Sequence, residues 1–317
     1  MIRILIPLDG SPIAETALRH AAAISRTFSA EIELISIIGE SKIASGERLD
    51  SVDWQLWKRQ IQVYLSRMVE SLREENLEAS WLLRDGDPAQ EIIRHVNEAN
   101  IDLLVLTRYG MGDAQQFSGG GTAQKIISAS AASILLIDPA GDFDDKRGYE
   151  RILVAVDGSQ RSEWASSFAA MVAQTFDGSL HLLQIVEEPR LPGNAPVNGE
   201  TRRLLDRIKR TAHSQANFQL SHLTSRIAEN APVMGTVIVS DNIPMTIESV
   251  AIADEADLLV IAAQAEQTQK AGRYGHICES LLAHLHIPVL VLRSEAAGLS
   301  MSNFRSVFLD ESCADVV

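Results

Sequence analysis

Short apolar runs alternate with longer stretches of helical period along the chain. Residues 2–8 (IRILIPL) form the first run, and such a run bounded by turn signals reads as a strand buried on both faces. Asp9-Gly10-Ser11 then breaks it. Ser11 followed by Pro12 is a helix start, because the hydroxyl caps and the missing proline N–H is no loss there. The pattern predicts a helix over 13–27, a strand at 31–38, a loop at 39–52 and a long amphipathic helix at 53–76. A strand at 79–84, a helix opened by Gly86-Asp87-Pro88 and running to 99, and a strand at 101–106 follow. A glycine-rich loop to 121, a helix over 122–130 and a strand at 133–137 complete the series.

The order then recurs. Strands are expected at 151–156, 179–187, 236–239, 257–262 and 288–292. Helices are expected after Ser159, within 200–230, near 245–254 and near 275–284. Residues 2–11 (IRILIPLDGS) nearly match 150–159 (ERILVAVDGS), and 101–110 (IDLLVLTRYG) matches 256–265 (ADLLVIAAQA). A repeat of about 145 residues is a whole domain, not a solenoid unit. The expected fold class is α/β: two repeated, doubly wound, five-stranded parallel-sheet domains. The reading places domain one at 1–140, a polar linker at 141–149, domain two at 150–296 and a tail at 297–317. Strands 133–137 and 288–292 are expected at sheet edges, where unpaired backbone invites another strand.

Charge and cysteine usage narrow the partners. The 317 residues carry a net charge of −14, which argues against nucleic acid or an anionic membrane surface. Cys278 and Cys313 are the only cysteines, so no disulfide framework is expected and a cytoplasmic setting is. The apolar start is too short for a signal peptide, and no apolar run is long enough to span a bilayer.

In a doubly wound sheet, ligands bind beyond the carboxyl ends of strands where the strand order reverses. Asp9 falls there, and so does the loop 107–122, which holds Gly110, Gly112, Gly119, Gly120 and Gly121. Glycines before a helix N-terminus let several N–H groups approach one anion, so the loop suits a phosphate chain. A plain connector loop has the same composition, and Asp9 in a turn would bond its own backbone. The P-loop and Rossmann glycine motifs are missing. His284 and His286 are spaced to face apart in a helix, and Cys278 reads as a small core residue. No general base or nucleophile declares itself, so a holder of ligand is expected and not an enzyme, with slow hydrolysis of the bound ligand left open.

These residues resemble the universal stress protein family in its tandem form, over 1–140 and 150–294. The resemblance rests on ILIPLDGS and ILVAVDGS at the first strands, on GDPAQEIIRHVNEANIDLLVLTR at 86–108, and on the loop and helix that follow. ATP-binding members carry G-x-x-G, a nine-residue spacer, then G-[ST]. Overlaid without gaps, Thr107, Gly110, Gly120 and Gly121 take the four motif positions, and Thr122 supplies a hydroxyl one place on. The resemblance implies that Asp9, flanked by Pro7 and Leu8, contacts the nucleoside, and that Ile37 and Leu106 wall the base. It implies ATP or a related adenine nucleotide, with or without Mg, and a regulatory role. It also implies dimerisation through the last strand, either between chains or within this one. In the second copy Ala262, Ala265, Gly275 and His276 take the motif positions, so that copy is expected not to bind ATP in the family manner, although Asp157 persists. The alternative is an interaction module with both sites decayed. A hydrolase of the wider adenine-nucleotide group ranks last, because D-G-S-P stands where its S-G-G-x-D-S belongs.

Overall fold

The computed structural model describes residues 1–39, 51–110, 121–141, 143–188, 199–263 and 275–293. It divides into two compact units, one of residues 1–148 and 263–317, the other of residues 149–262.

The first unit holds β1 (Arg3–Pro7), α1 (Pro12–Phe28), β2 (Glu31–Ile38), α2 (Ser51–Glu74), β3 (Ala79–Asp85), α3 (Pro88–Glu98), β4 (Leu103–Thr107), α4 (Thr122–Ala129) and β5 (Ser133–Ile137). Strand order runs β3-β2-β1-β4-β5, and all these pairings are parallel. The order reverses between β1 and β4, so their carboxyl ends flank the crevice. Residues 103–106 of β4 and 134–137 of β5 are buried, which is why both read as unbroken apolar runs. Helix α1 starts as its sequence dictates: Ser11 Oγ accepts from Ala14 N at 3.1 Å, with Pro12 just inside. Its buried face is mostly alanine, including Ala14, Ala17 and Ala21, which lets the helix lie close to the sheet.

The second unit holds β6 (Arg151–Val156), α5 (Gln160–Thr175), β7 (Ser179–Glu187), α6 (Gly199–Ile227), β8 (Val233–Ser240), α7 (Ile243–Ala253) and most of β9 (Leu258–Ala263). Its strand order is β9-β6-β7-β8, again parallel. The expected short strand at 236–239 is longer. Gly235 did not end it; a Cβ there would stand 2.9 Å from Thr224 Oγ1 of α6, so the glycine marks close helix packing. Gly178 is tighter still, because a Cβ would collide with the Tyr149 carbonyl oxygen. Backbone cannot swing aside, so Gly178→Ala is expected to cost about 1–3 kcal/mol by overpacking, read as a lower urea midpoint for the full chain.

The end of the second repeat belongs with the first unit: α8 (Gly275–His284) and β10 (Val289–Arg293). Strand β10 pairs antiparallel with β5, in the register Leu136↔Val289, Leu135↔Leu290 and Ile134↔Val291. Strand β5 is therefore not an edge, as the apolar pattern alone suggests; each expected edge covers the other. Arg293 ties the pair further, its N donating to Ser133 Oγ and its Nη1 to Ser130 O, both at 3.1 Å. The polar segment before β6 is also anchored. Phe143 stacks on His20 of α1 at 3.9 Å between ring centroids, and Arg26 bonds Asp145.

Candidate functional site

Pro7 ends β1 and Leu8, buried, donates its N–H to Ile35 O at 2.8 Å. This delivers Asp9 to the carboxyl edge. Asp9 Oδ1 accepts from Ser11 N at 2.9 Å and from Ser11 Oγ at 2.6 Å. The turn reading of Asp9 therefore holds for this oxygen. The other oxygen lies against the loop after β4, where a Cβ on Gly110 would stand 3.0 Å from Oδ2. The structure thus brings Asp9 and Gly110 together, and any residue larger than glycine would press on the carboxylate.

Thr107 closes β4, and its Oγ1 donates to Tyr109 O at 2.8 Å, which folds the chain back at once towards Gly110. Leu106 is buried within β4. Ile37 is half-buried near the end of β2. Gly121 forms the N-cap of α4 in extended backbone with no side-chain capping bond, and Thr122 begins the helix, exposed. Because β4 and β5 are parallel, α4 starts at the same carboxyl edge as Asp9. Gly120, with Gly112 and Gly119, lies outside the described residues.

Tyr64 was not singled out by sequence. Its hydroxyl is buried without a well-aligned hydrogen-bond partner. Burial first, then the neighbouring Glu15 and Asp9 carboxylates, push its ionisation upward, so the phenol stays protonated beside Asp9. Its place on α2, far along the chain from Asp9, gave the sequence no signal.

The second repeat differs at the matching turn. Asp157 Oδ1 accepts from Ser159 N at 2.9 Å. Burial opposes its ionisation, but hydrogen bonds from Ser159 and Ser162 outweigh it and hold the carboxyl below the usual range. A Cβ on Gly158 would meet Gln219 Oε1 of α6 at 2.9 Å, whereas nothing described lies within 4 Å of one on Gly10. Helix α6 therefore roofs this turn, leaving a cavity of about 150 Å³ bounded by Gly158, Gln184, Gln219 and Arg226. Arg226 is engaged by Glu163 at 2.9 Å. Ala262 is half-buried in β9, Gly275 opens α8 at φ +77°, and His276 is exposed. Ala265 lies outside the described residues. Cys278 is buried, and its thiol is pushed up to about 12, first by that burial and then by Glu279. His284 Nδ1 lies 2.9 Å from Ser280 O and His286 Nδ1 2.9 Å from Asp138 Oδ2. Among the described residues no His, Cys, Asp and Glu group has metal-binding geometry, and no helix is long and apolar enough to cross a membrane.

Two parallel-sheet repeats with an aspartate turn after the first strand define a class. The sequence profile of the universal stress protein family matches residues 1–138 and again 148–293, and the chain belongs to that family. Universal stress protein YxiE of Bacillus subtilis is 21% identical over 145 residues, which is 43% of this chain and 97% of that protein. Universal stress protein MJ0531 of Methanocaldococcus jannaschii is 25% identical over 137 residues, 43% of this chain and 81% of that one. The crystal structure of a universal stress protein from Archaeoglobus fulgidus shares the fold over 92% of this chain and 98% of its own, with a TM-score of 0.62 at 16% identity.

Proposed function

We propose that the first repeat (1–140) binds an adenine nucleotide, ATP among them, at the carboxyl ends of β1 and β4, and that the second repeat (150–296) does not bind one in the same manner. The observation that carries this reading is the contrast between the two turns. Gly10 is open and Gly110 leaves room beside Asp9 Oδ2, while Gly158 is covered by Gln219. A carboxylate at the crevice accepts from ribose hydroxyls. The side-chain-free N-cap of α4 offers main-chain N–H groups and the positive end of its dipole to phosphates. A protein that only holds nucleotide acts by shifting a population, and so needs unequal affinity of the ligand for two states. The protein acts as a regulator whose nucleotide occupancy a partner senses.

Calorimetric titration of the full chain with ATP is expected to give one site per chain. Gly110→Val, which forces two methyls against Asp9, is expected to weaken it by roughly 10- to 100-fold. Two equal sites, or no heat and no thermal shift at millimolar nucleotide, would overturn the reading; the second result would favour an interaction module with both sites decayed.

A further inference from the structure

The second unit carries a side-chain constellation away from either turn. His181 stands near the start of β7, under the end of α7. Its Nδ1 meets Asp254 Oδ2 in a short hydrogen bond, and its Nε2 lies 2.8 Å from Thr236 Oγ1 on the adjacent strand β8. A carboxylate on Nδ1 fixes the N–H there, so Nε2 presents its lone pair and the Thr236 hydroxyl donates into it. That is the order acid, imidazole, hydroxyl needed to activate an oxygen nucleophile.

The first repeat fills the same place differently. Glu33, which like His181 is the third residue of its strand, meets His95 Nε2 at 2.8 Å, and Arg84 meets His95 Nδ1 at 3.0 Å. That is a hydrogen-bonded pin, with the guanidinium donating into Nδ1 and Nε2–H donating to Glu33, and a pin needs no hydroxyl. Met234 is two residues before Thr236 and shares its face of β8. With His181 and Asp254, Met234 lines a cleft of about 390 Å³ whose other walls include Ile152, Leu180 and Pro232. The imidazole and carboxylate are 12% and 33% exposed, so the cleft reaches the acid–imidazole pair, and half-buried Thr236 is bonded to the far nitrogen of that imidazole.

We propose that Asp254, His181 and Thr236 form an acyl-transfer site for small apolar carboxylic esters. Thr236 Oγ1 attacks the ester carbonyl carbon while its proton passes to His181 Nε2. The tetrahedral adduct collapses, the carbonyl–oxygen bond to the alcohol breaks, and the leaving oxygen takes the proton from Nε2. Water, deprotonated by the same nitrogen, then attacks the acyl-threonine, releases the carboxylic acid and restores the hydroxyl. Asp254 is a positioning residue that holds the tautomer.

The test is incubation of the full chain with p-nitrophenyl acetate and butyrate, following p-nitrophenolate release and mapping the acyl group by mass spectrometry. A burst and an acyl group on the Thr236 peptide are expected. Thr236→Val, of nearly equal shape, is expected to cut the burst rate by about a hundredfold or more, while Thr236→Ser keeps it and moves the adduct to the serine. Asp254→Asn is expected to slow acylation without removing its site. An unacylated Thr236 peptide from the wild-type chain overturns the proposal, and so does an undiminished burst in Thr236→Val. Should that variant not fold, the wild-type peptide map alone decides.

Discussion

Replacing Arg108 by Met is expected to cost roughly 3–5 kcal/mol, the usual result of removing one partner from a buried charged cluster. The Arg108 side chain is 1% exposed. Nη1 donates to Leu282 O and, at 3.2 Å, to Ala283 O; Nη2 donates to Leu285 O. These are carbonyls at and just past the last turn of α8, which have no intrahelical partner and mark the negative end of the helix. Asp138 Oδ2 stands 3.8 Å from Nε. Burial pulls the guanidinium's ionisation downward and Asp138 opposes it, and arginine keeps its charge through such shifts. Methionine fills similar space but leaves those carbonyls and a 6%-exposed carboxylate without their cation. Arg108→Lys is expected to recover only part, because a single ammonium cannot match the planar fork. Urea unfolding of the three proteins decides it; a loss below about 1 kcal/mol for the Met variant would show that the cluster is not holding α8.

The second large effect is acid sensitivity at His20. This imidazole is 3% exposed on α1 and stacked on Phe143. Burial, then the neighbouring Arg19 charge, lowers its pKa from 6.5 to about 3. Between those values the unfolded chain holds a proton here and the folded chain does not. Stability therefore falls as pH drops through that window, by roughly 4 kcal/mol at its lower end. His20→Leu cannot take the proton, so its stability is expected to decline less between pH 6.5 and 3. Parallel slopes for the two proteins in urea unfolding across that range would refute the assignment.

Much of this was legible in the residues. Buried parallel strands announce themselves as unbroken apolar runs, and β2, β5, β6 and β7 fall at the expected bounds. The Ser11 and Ser159 caps follow from short-range chemistry. Asp9 was readable because a strand end fixes where its side chain must be. What escaped depends on distance along the chain. Arg108 looks like loop until α8 arrives from the other repeat, and Asp254 and Thr236 flank His181 only once β7, β8 and α7 are packed. The segment 141–149 reads as polar linker, yet Phe143 and the fully buried Tyr149 anchor it. Composition averages away two aromatic residues among charges. The reach of Gln219 over Gly158 was equally hidden, since helix length does not say which turn a helix covers.

The antiparallel pairing of β5 with β10 has a practical consequence. Severed after Gly148, the amino-terminal fragment would keep Ser133–Ile137 with a naked row of amides and carbonyls along one flank. Two fragments could satisfy one another there, so a half-length protein would be prone to self-association. In the full chain the strand's second neighbour is a resident of the same molecule, so its pairing does not depend on protein concentration.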